Sequence, residues 1–364
     1  MADRVLVAMS GGVDSSATAI ILKRAGYDVI GVTMKLWQGE NIDSELEVKT
    51  CCGTDSARDA KYVCQKFNVP HYTINYADAF RKDVVDNLIY EYFAGRTPNP
   101  CIRCNTYMKW GELVKLADKL QAEYIATGHY ARIREAGDGE FRLLKGVDGH
   151  KDQSYALWGI SRGLLSRTLL PIGERQKSGI RQLLQDEGIN FFEKPESQEI
   201  CFIPDDDLPG FLKESAEKLG LEITEGDIVD DSGEVIGKHK GLPYYTIGQR
   251  KGLGISNPVP LYVKDIDTEH NRLVVSENDD LRSSNCTVTN LNWLISPPKP
   301  DSEVEFEVKI RYRHQAARAL CSVNNDGSVR VEFKQPQRAI TPGQSAVFYD
   351  RERVMGGGVI DNVD

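Results

Sequence analysis

Residues 5–22, VLVAMSGGVDSSATAIIL, decide the fold. The apolar run Val5 to Ala8 predicts a short buried strand, and the apolar residues after Val13 recur at helical spacing. SGGVDSS lies between these two elements, so its glycines let the backbone approach an anion and the helix N-terminus offers free N–H groups. Asp14 is placed to hold Mg²⁺ against phosphates. The stretch predicts a phosphate-binding loop, and the alternative is a glycine turn that only caps the helix.

The type of phosphate loop follows from its spacing. It lacks the Lys-Ser/Thr pair of a Walker loop and the G-x-G-x-x-G spacing of a dinucleotide fingerprint. It resembles the loop of the N-type ATP pyrophosphatases, which cleave ATP between the α- and β-phosphates, adenylate a carbonyl oxygen and displace AMP with a nucleophile. With Mg²⁺ as the companion ion, this resemblance implies that ATP binds at Ala8, Met9, Ser10, Gly11, Gly12, Val13, Asp14, Ser15, Met34 and Gly128.

Strand-like and helix-like segments alternate through the first 200 or so residues, which predicts an α/β domain over residues 1–203 with a Rossmann-like, mainly parallel sheet. In such sheets ligands bind beyond the carboxyl ends of the strands. Ser10, Met34 and Gly128 all fall at such strand ends.

The sequence changes character after Cys201, where Pro, Gly and Asp become frequent. Short β-type runs at 244–247, 260–265 and 273–275 predict a small, mostly β central domain over residues 204–280. The remaining residues, 281–364, read almost wholly as strands separated by turn signals, which predicts a C-terminal β-barrel, with a β-sandwich as the alternative.

The amino-acid composition indicates the class of protein and its expected location. The chain is 40% hydrophobic and 27% charged, typical of a globular protein, and the N-terminal residues lack the apolar core of a signal peptide. We therefore expect a cytoplasmic protein with no membrane association. Its eight cysteines are too sparse for a disulfide scaffold. The net charge of −9 argues against indiscriminate coating of nucleic acid but leaves room for local basic patches that bind one RNA.

Two cysteines form a C-x-x-C pair in RTPNPCIRCN, just before a predicted helix. The helix dipole and Arg103 would lower the pKa of a thiol at Cys101 or Cys104 and favour the reactive thiolate. A third cysteine, Cys201, lies in a charged loop. One C-x-x-C is a weak zinc signal, because a structural zinc site needs four ligands, and a redox pair is a further alternative.

Five motifs in order make the resemblance specific: TPNPCIRCN (97–105), TGHY (127–130), KDQSY (151–155), ICFIP (200–204) and YTIGQRKGLG (245–254). Together they resemble the tRNA-specific 2-thiouridylase family over nearly the whole chain. Members replace O2 of the wobble uridine in tRNA by sulfur. The resemblance implies that Cys104 is the catalytic nucleophile and that Cys201 carries sulfur as a persulfide and forms a disulfide with Cys104.

Cys101 departs from the family pattern, in which many members have Asp at this position. Three cysteines, Cys101, Cys104 and Cys201, can therefore converge on one site. Three thiolates can hold a [4Fe-4S] cluster with one iron open to sulfide. The alternative is a persulfide enzyme in which Cys101 is a small filler.

The resemblance also implies an RNA surface. The predicted tRNA contacts are Asn99, Pro100, Cys101, His129, Lys151, Asp152, Gln153, Arg311, Tyr312 and Gln344. Alone, an Arg-Tyr pair in a strand would indicate a solvated edge, and His129 a hydrogen-bonded structural histidine. The stretch with Arg175, Lys177 and Arg181 is a further basic stretch, and the alternative is a solvated helix face.

The leading hypothesis is an ATP-dependent tRNA sulfurtransferase, expected to be a monomer supplied by a cysteine desulfurase or a sulfur relay protein. One alternative is an amide-forming ligase of the GMP-synthetase type, although no glutaminase segment is present. Another is a non-catalytic RNA- or metal-binding module, against which the intact SGGVDSS argues.

Overall fold

The computed structural model describes residues 2–36, 54–193 and 200–363. The strands of its N-terminal region are β1 (Arg4–Ala8), β2 (Asp28–Lys35), β3 (His71–Asn75), β4 (Tyr124–Ala126), β5 (Ala131–Glu135), β6 (Phe141–Lys145) and β7 (Thr168–Leu169). Five of them form a parallel sheet in the order β3-β2-β1-β4-β7. The predicted parallel α/β domain is confirmed.

The central strand β1 shows why this sheet forms. Its side chains alternate between the two faces, so Leu6 enters one hydrophobic core while Val5 and Val7 enter the other. All three are fully buried. A strand that is apolar on both faces needs a layer of helices on each side, as in parallel sheets generally.

Helices supply these layers. They are α1 (Val13–Arg24), α2 (Thr54–Lys66), α3 (Ala77–Phe80), α4 (Asp86–Phe93), α5 (Pro100–Arg103), α6 (Leu113–Lys119) and α7 (Lys177–Asp186). The π-helical segments Arg81–Val85 and Cys104–Glu112 join α3 to α4 and α5 to α6, and Ser154–Leu157 and Arg162–Arg167 are 3₁₀ turns. No helix in the described part of the chain is long and apolar enough to cross a membrane.

The central region is small and mostly β, as predicted. A 3₁₀ turn at Pro204–Asp206 and α8 (Leu208–Leu219) lead into it. Its strands are β8 (Gly226–Val229), β9 (Val235–His239), β10 (Tyr262–Asp267) and β11 (Arg272–Ser276), in the order β10-β11-β8-β9. The strand predicted at 244–247 was wrong. A 3₁₀ turn, Leu242–Tyr244, ends at the first of these residues, and the N–H groups of Tyr245 and Thr246 donate to the Leu242 carbonyl oxygen and the Gln249 side chain instead of to a neighbouring strand.

The C-terminal region is a closed six-stranded barrel, which confirms that prediction. After a 3₁₀ turn at Asp279–Leu281, its strands are β12 (Arg282–Trp293), β13 (Glu303–Lys309), β14 (Ala317–Val323), β15 (Val329–Arg338), β16 (Ser345–Asp350) and β17 (Arg353–Val363). Pairing of β12 with β17 closes the ring. The hairpin β5–β6, although it belongs to the N-terminal region in sequence, continues the barrel sheet from β17.

The three regions meet at residues 95–98, which we call the junction segment. The N–H of Thr97 donates to the carbonyl oxygen of Pro342 in the barrel at 2.9 Å. Its hydroxyl lies 3.4 Å from that of Thr246 in the central region. A Cβ atom at Gly95 (φ 70°) would lie 2.9 Å from the Thr268 side chain, so only glycine fits there without displacement. The segment leading to the C-x-x-C pair is thus fixed from two sides.

Candidate active site

The phosphate loop follows β1 and opens α1. The N-cap residue of α1 is Gly12, which provides no side-chain cap, so the first N–H groups of the helix have no capping partner from it. Ser15 Oγ accepts from the N–H of Ser10 at 3.2 Å and donates to the carbonyl oxygen of Gly12 at 3.2 Å. Gly11 has φ 68°, which favours glycine. The loop has the form of an anion-binding helix N-terminus.

Asp14, in the first turn of α1, has two partners from distant parts of the chain. Lys177 Nζ lies 2.8 Å from both of its carboxylate oxygens. The hydroxyl of Tyr130 donates to Oδ1 at 2.9 Å. A lysine and a carboxylate at a phosphate loop are the charges that a magnesium–phosphate complex requires, since Mg²⁺ is usually held by one or two carboxylates together with substrate phosphates. Asp14 fits as the single protein ligand of such an ion.

Lys177 was not predicted as a site residue from the sequence. The alternative of a solvated helix face does not hold for Lys177, because the residue is only 8% exposed and its backbone N–H donates to Asp148. Arg175 is exposed, and Arg181 is half-buried. One signal was available: Lys177 is the first residue of α7, where the helix dipole disfavours a cation unless an anion lies nearby.

Gly128, at the end of β4, packs directly on the phosphate loop. A Cβ atom at this position would lie 2.7 Å from the carbonyl carbon of Asp14 and 2.8 Å from the nitrogen of Ser15. Met34, at the end of β2, is 6% exposed, and the neighbouring Thr33 hydroxyl donates to the carbonyl oxygen of Met9 at 3.0 Å. The predicted ATP residues therefore gather at the carboxyl edge of the sheet, while their contacts to ATP stay a prediction.

The close approach at Gly128 gives a test of this edge. Gly128→Ala would force the backbone of the phosphate loop to shift, and overpacking of this kind costs about 1–3 kcal/mol. We expect ATP to bind about tenfold more weakly or worse, as measured by calorimetry. Gly137→Ala is the matched control because nothing lies within 4 Å of a Cβ atom there. Equal ATP affinity in both variants would contradict the assigned role of Gly128.

The C-x-x-C pair opens the long helix 100–119, as predicted. Asn99 caps it, its side chain accepting from the N–H of Ile102 at 3.3 Å, and Pro100 occupies the first turn. Cys101 is exposed and Cys104 is half-buried. The guanidinium of Arg103 donates to the carbonyl oxygen of Asp83 and lies over the Tyr107 ring.

Cys201 is half-buried and lies next to an aromatic anchor. The Phe202 ring packs edge-on against Phe80, with ring centroids 5.3 Å apart. Cys104 and Cys201 both pack against the hydrophobic core that includes Leu6 of β1. Across residues 2–36, 54–193 and 200–363, no group of three or more His, Cys, Asp or Glu side chains is arranged to hold a metal ion.

Three predicted tRNA residues of the N-terminal region make internal contacts. His129 is 8% exposed, its Nδ1 lying 2.7 Å from the Thr127 hydroxyl. Burial, and then the charge of Lys109, hold the pKa of His129 well below its ordinary value, so the ring is neutral at pH 7. Asp152 accepts from the N–H groups of Gly146 and Ser154, and Gln153 from that of Tyr130. The half-buried Lys151 adjoins them, and RNA contact by all four stays a prediction.

The barrel residues Gln344 and Tyr312 lie next to the N-terminal region. The amide of Gln344 donates to the carbonyl oxygen of Thr97 at 2.8 Å, so it holds the junction segment. Tyr312 is 41% exposed, and its ring centroid lies 6.3 Å from that of Tyr155. Tyr155 in turn donates to the carbonyl oxygen of Ser345. The barrel surface is thereby connected to the start of the thiol-bearing helix.

Comparison with known families covers all three regions. Residues 3–205 match the family model described as a tRNA methyl transferase HUP domain. Residues 211–277 match a tRNA methyl transferase PRC-barrel domain, and residues 283–360 an aminomethyltransferase beta-barrel domain.

Curated relatives match over the full length. The chain is 44% identical over 360 residues to the tRNA-specific 2-thiouridylase MnmA of Clostridium perfringens, covering 99% of each chain. It is 43% identical over 357 residues to the protein of the same name from Lachnoclostridium phytofermentans, covering 98% of this chain and 99% of that one. A third, from Geotalea uraniireducens, is 43% identical over 361 residues, covering 99% of this chain and 95% of the other.

Proposed function

Because this chain belongs to the tRNA-specific 2-thiouridylase family, we propose that it replaces O2 of the wobble uridine in tRNA by sulfur. ATP activates the oxygen, and the products are 2-thiouridine, AMP and pyrophosphate. The observation that carries the proposal is the packing of Cys104 and Cys201 against the hydrophobic core beneath the sheet that bears the phosphate loop. An activating site and two sulfur atoms thus share one domain.

The descriptions of the matching family models name methyl transfer, whereas the relatives are named 2-thiouridylases. The residues favour thiolation. Methyl transfer to an RNA base needs no pyrophosphate-releasing loop, while replacement of a carbonyl oxygen does, because that oxygen leaves only after it has become a phosphoester.

In the first step O2 of the uridine attacks the α-phosphate of ATP and pyrophosphate departs. The N–H groups of the phosphate loop bind the departing phosphates, as helix N-termini do. Mg²⁺, when bound at Asp14, would neutralise phosphate charge. Lys177, 2.8 Å from Asp14 at the phosphate loop, is a fixed positive charge where negative charge accumulates on the phosphates.

In the second step sulfur enters at C2. Cys201 carries a sulfane sulfur as a persulfide, and the Cys104 thiolate attacks the Cys201 sulfur atom. A Cys104–Cys201 disulfide forms and hydrosulfide is released. Hydrosulfide attacks C2, the C2–O bond breaks and AMP leaves with its electron pair. A dithiol reductant reduces the disulfide, and a persulfide-bearing sulfur donor protein reloads Cys201.

The persulfide route and delivery by an iron–sulfur cluster differ in the role of Cys101, which is a cluster ligand only in the second. The described side chains favour the persulfide route, since they do not form a three-ligand group. Anaerobic purification followed by iron and sulfide analysis decides the matter, with Cys101→Ala for comparison. Iron that is bound by the wild type and is required for activity would replace the persulfide route.

The reaction is tested by following pyrophosphate release and nucleoside composition together. We expect pyrophosphate only when tRNA and ATP are both present, and 2-thiouridine by mass spectrometry once a persulfide donor is added. A tRNA that carries cytidine at the wobble position is the control and should give neither product. ATP turnover with a small amine acceptor, independent of tRNA, would identify an amide-forming ligase instead.

A further inference from the structure

Three arginines lie together at the end of the barrel that adjoins the central region, and we call Arg282, Arg311 and Arg338 the arginine cluster. Arg282 is directly opposite Arg338 in the β12–β15 pair. The guanidinium of Arg311 donates to the carbonyl oxygens of Arg338, at 2.6 Å, and of Ala339. A Cβ atom at Gly248, in the GQRK loop of the central region, would lie 3.6 Å from the Arg338 guanidinium.

No carboxylate neutralises this cluster. Among the residues that the structure describes, none lies within 4.0 Å of the three guanidinium groups, not even Asp279 or Asp280 just before Arg282. The neighbours of Arg338 are neutral: its Nε donates to Asn278 at 2.8 Å and its guanidinium lies over the Tyr262 ring. Like charges placed opposite each other on paired strands are destabilising, so the arrangement costs free energy without an anion.

Burial increases that cost. Arg311 Nε and His314 Nδ1 are buried and have no hydrogen-bond partner. The pKa of Arg311 is lowered by burial and then by Arg338, and that of His314 by burial and then by Arg311. An unpartnered buried guanidinium N–H beside repelling cations is a feature of an anion-binding site.

The position of the arginine cluster indicates which kind of anion it binds. Tyr312, next to Arg311, is 41% exposed and offers an aromatic face, as RNA-binding surfaces commonly do. The Tyr312 ring lies 6.3 Å from that of Tyr155, and Tyr155 bonds to Ser345, the neighbour of Gln344 that holds Thr97. Tyr155, Ser345 and Gln344 therefore connect an anion bound at the arginine cluster to Thr97 of the junction segment, which leads to the thiols.

We propose that the arginine cluster binds a backbone phosphodiester of the RNA substrate, with Arg311 and Arg338 as its direct ligands and Arg282 adding charge. The inference rests on the proposed function and adds Arg338 and Arg282 to its RNA surface. Arginine suits this role because its planar fork matches two phosphate oxygens. The anchoring of Arg311 and Arg338 by neutral groups holds the guanidinium groups in place before the RNA arrives.

The test measures the salt dependence of binding of an anticodon stem-loop RNA. The slope of log Kd against log salt falls by about 0.7–0.9 for each phosphate that the protein no longer neutralises. We expect Arg338→Ala to lower the slope by about that amount and to weaken binding about tenfold at low salt. Arg338→Lys should retain most of the slope. Arg330→Ala, an exposed arginine on the same strand β15, is the matched control and should bind as wild type does.

Two outcomes separate this inference from the proposed function. If wild type and Arg338→Ala have the same slope while the wild type forms 2-thiouridine, the phosphate site is refuted and the function stands. In the second outcome, the wild type and the arginine variants bind the stem-loop with the predicted salt slopes, but the wild type forms no 2-thiouridine with ATP and a persulfide donor. The proposed function is then refuted and the phosphate site stands. Inorganic phosphate that binds the wild type but leaves RNA affinity unchanged would also refute the site.

Discussion

Replacement of Cys104 by serine is expected to abolish 2-thiouridine formation, lowering its rate by about 10³-fold or more. Sulfur release begins with attack by a thiolate on the Cys201 persulfide, and a serine hydroxyl is not ionised near neutral pH. The substitution is nearly isosteric at a half-buried position, so the helix should still form. The measurement is mass spectrometry of nucleosides from tRNA incubated with ATP and a persulfide donor.

Two further measurements make this result specific. Pyrophosphate release should persist in Cys104→Ser when tRNA and ATP are both present, because adenylation uses the phosphate loop and Lys177 and needs no thiol. Cys64→Ala is the control: burial raises the pKa of the Cys64 thiol to about 12, so the group is protonated at pH 7 and takes no part in sulfur chemistry. Cys201→Ser should fail as Cys104→Ser does. Wild-type rates in either variant would overturn the persulfide route.

Lys177→Met is expected to reduce tRNA-dependent pyrophosphate release by about 10²–10³-fold, the usual effect of removing one fixed charge from a developing anion. Methionine keeps the length and the apolar stem of lysine, while the charge beside Asp14 is removed. Lys177→Arg should recover part of the rate. ATP affinity and maximal rate are measured separately, since a group that acts on the departing phosphates changes the maximal rate more than the affinity.

Arg175→Ala is the matched control for Lys177, two residues earlier and exposed. It should release pyrophosphate at the wild-type rate. Thermal unfolding of Lys177→Met shows whether the effect is only structural, because Asp14 then keeps Tyr130 as partner but has no counter-charge from Lys177. A folded Lys177→Met enzyme that releases pyrophosphate normally would exclude a role for this lysine in adenylation.

Local pattern was enough to predict much of the fold. SGGVDSS lies between an apolar strand and a helix, and its neighbours in sequence supply most of its geometry. The C-x-x-C helix and the barrel strands were predictable for the same reason. The predicted strand at 244–247 failed because the N–H groups of Tyr245 and Thr246 form local hydrogen bonds, to Leu242 and Gln249, which the β-propensity of the tyrosines does not reveal.

Long-range contacts were not predictable from one sequence. Lys177 and Asp14 are 163 residues apart, and no local periodicity connects them. Gln344 was predicted only as an RNA contact, yet its amide binds the backbone of the junction segment. The hairpin β5–β6 has ordinary strand patterning, and nothing in it indicates that its partner strand is β17 in the barrel. Such pairings depend on tertiary packing.

The hydrogen bond from Gln344 to Thr97 joins residues 247 positions apart. A ribosome that adds about 5–20 residues per second needs roughly 12–50 s to translate that interval. During this time the nascent chain already contains the phosphate loop and the C-x-x-C helix, while the carbonyl oxygen of Thr97 lacks its amide partner. The order of synthesis therefore delays completion of the thiol-bearing segment until the barrel has been translated.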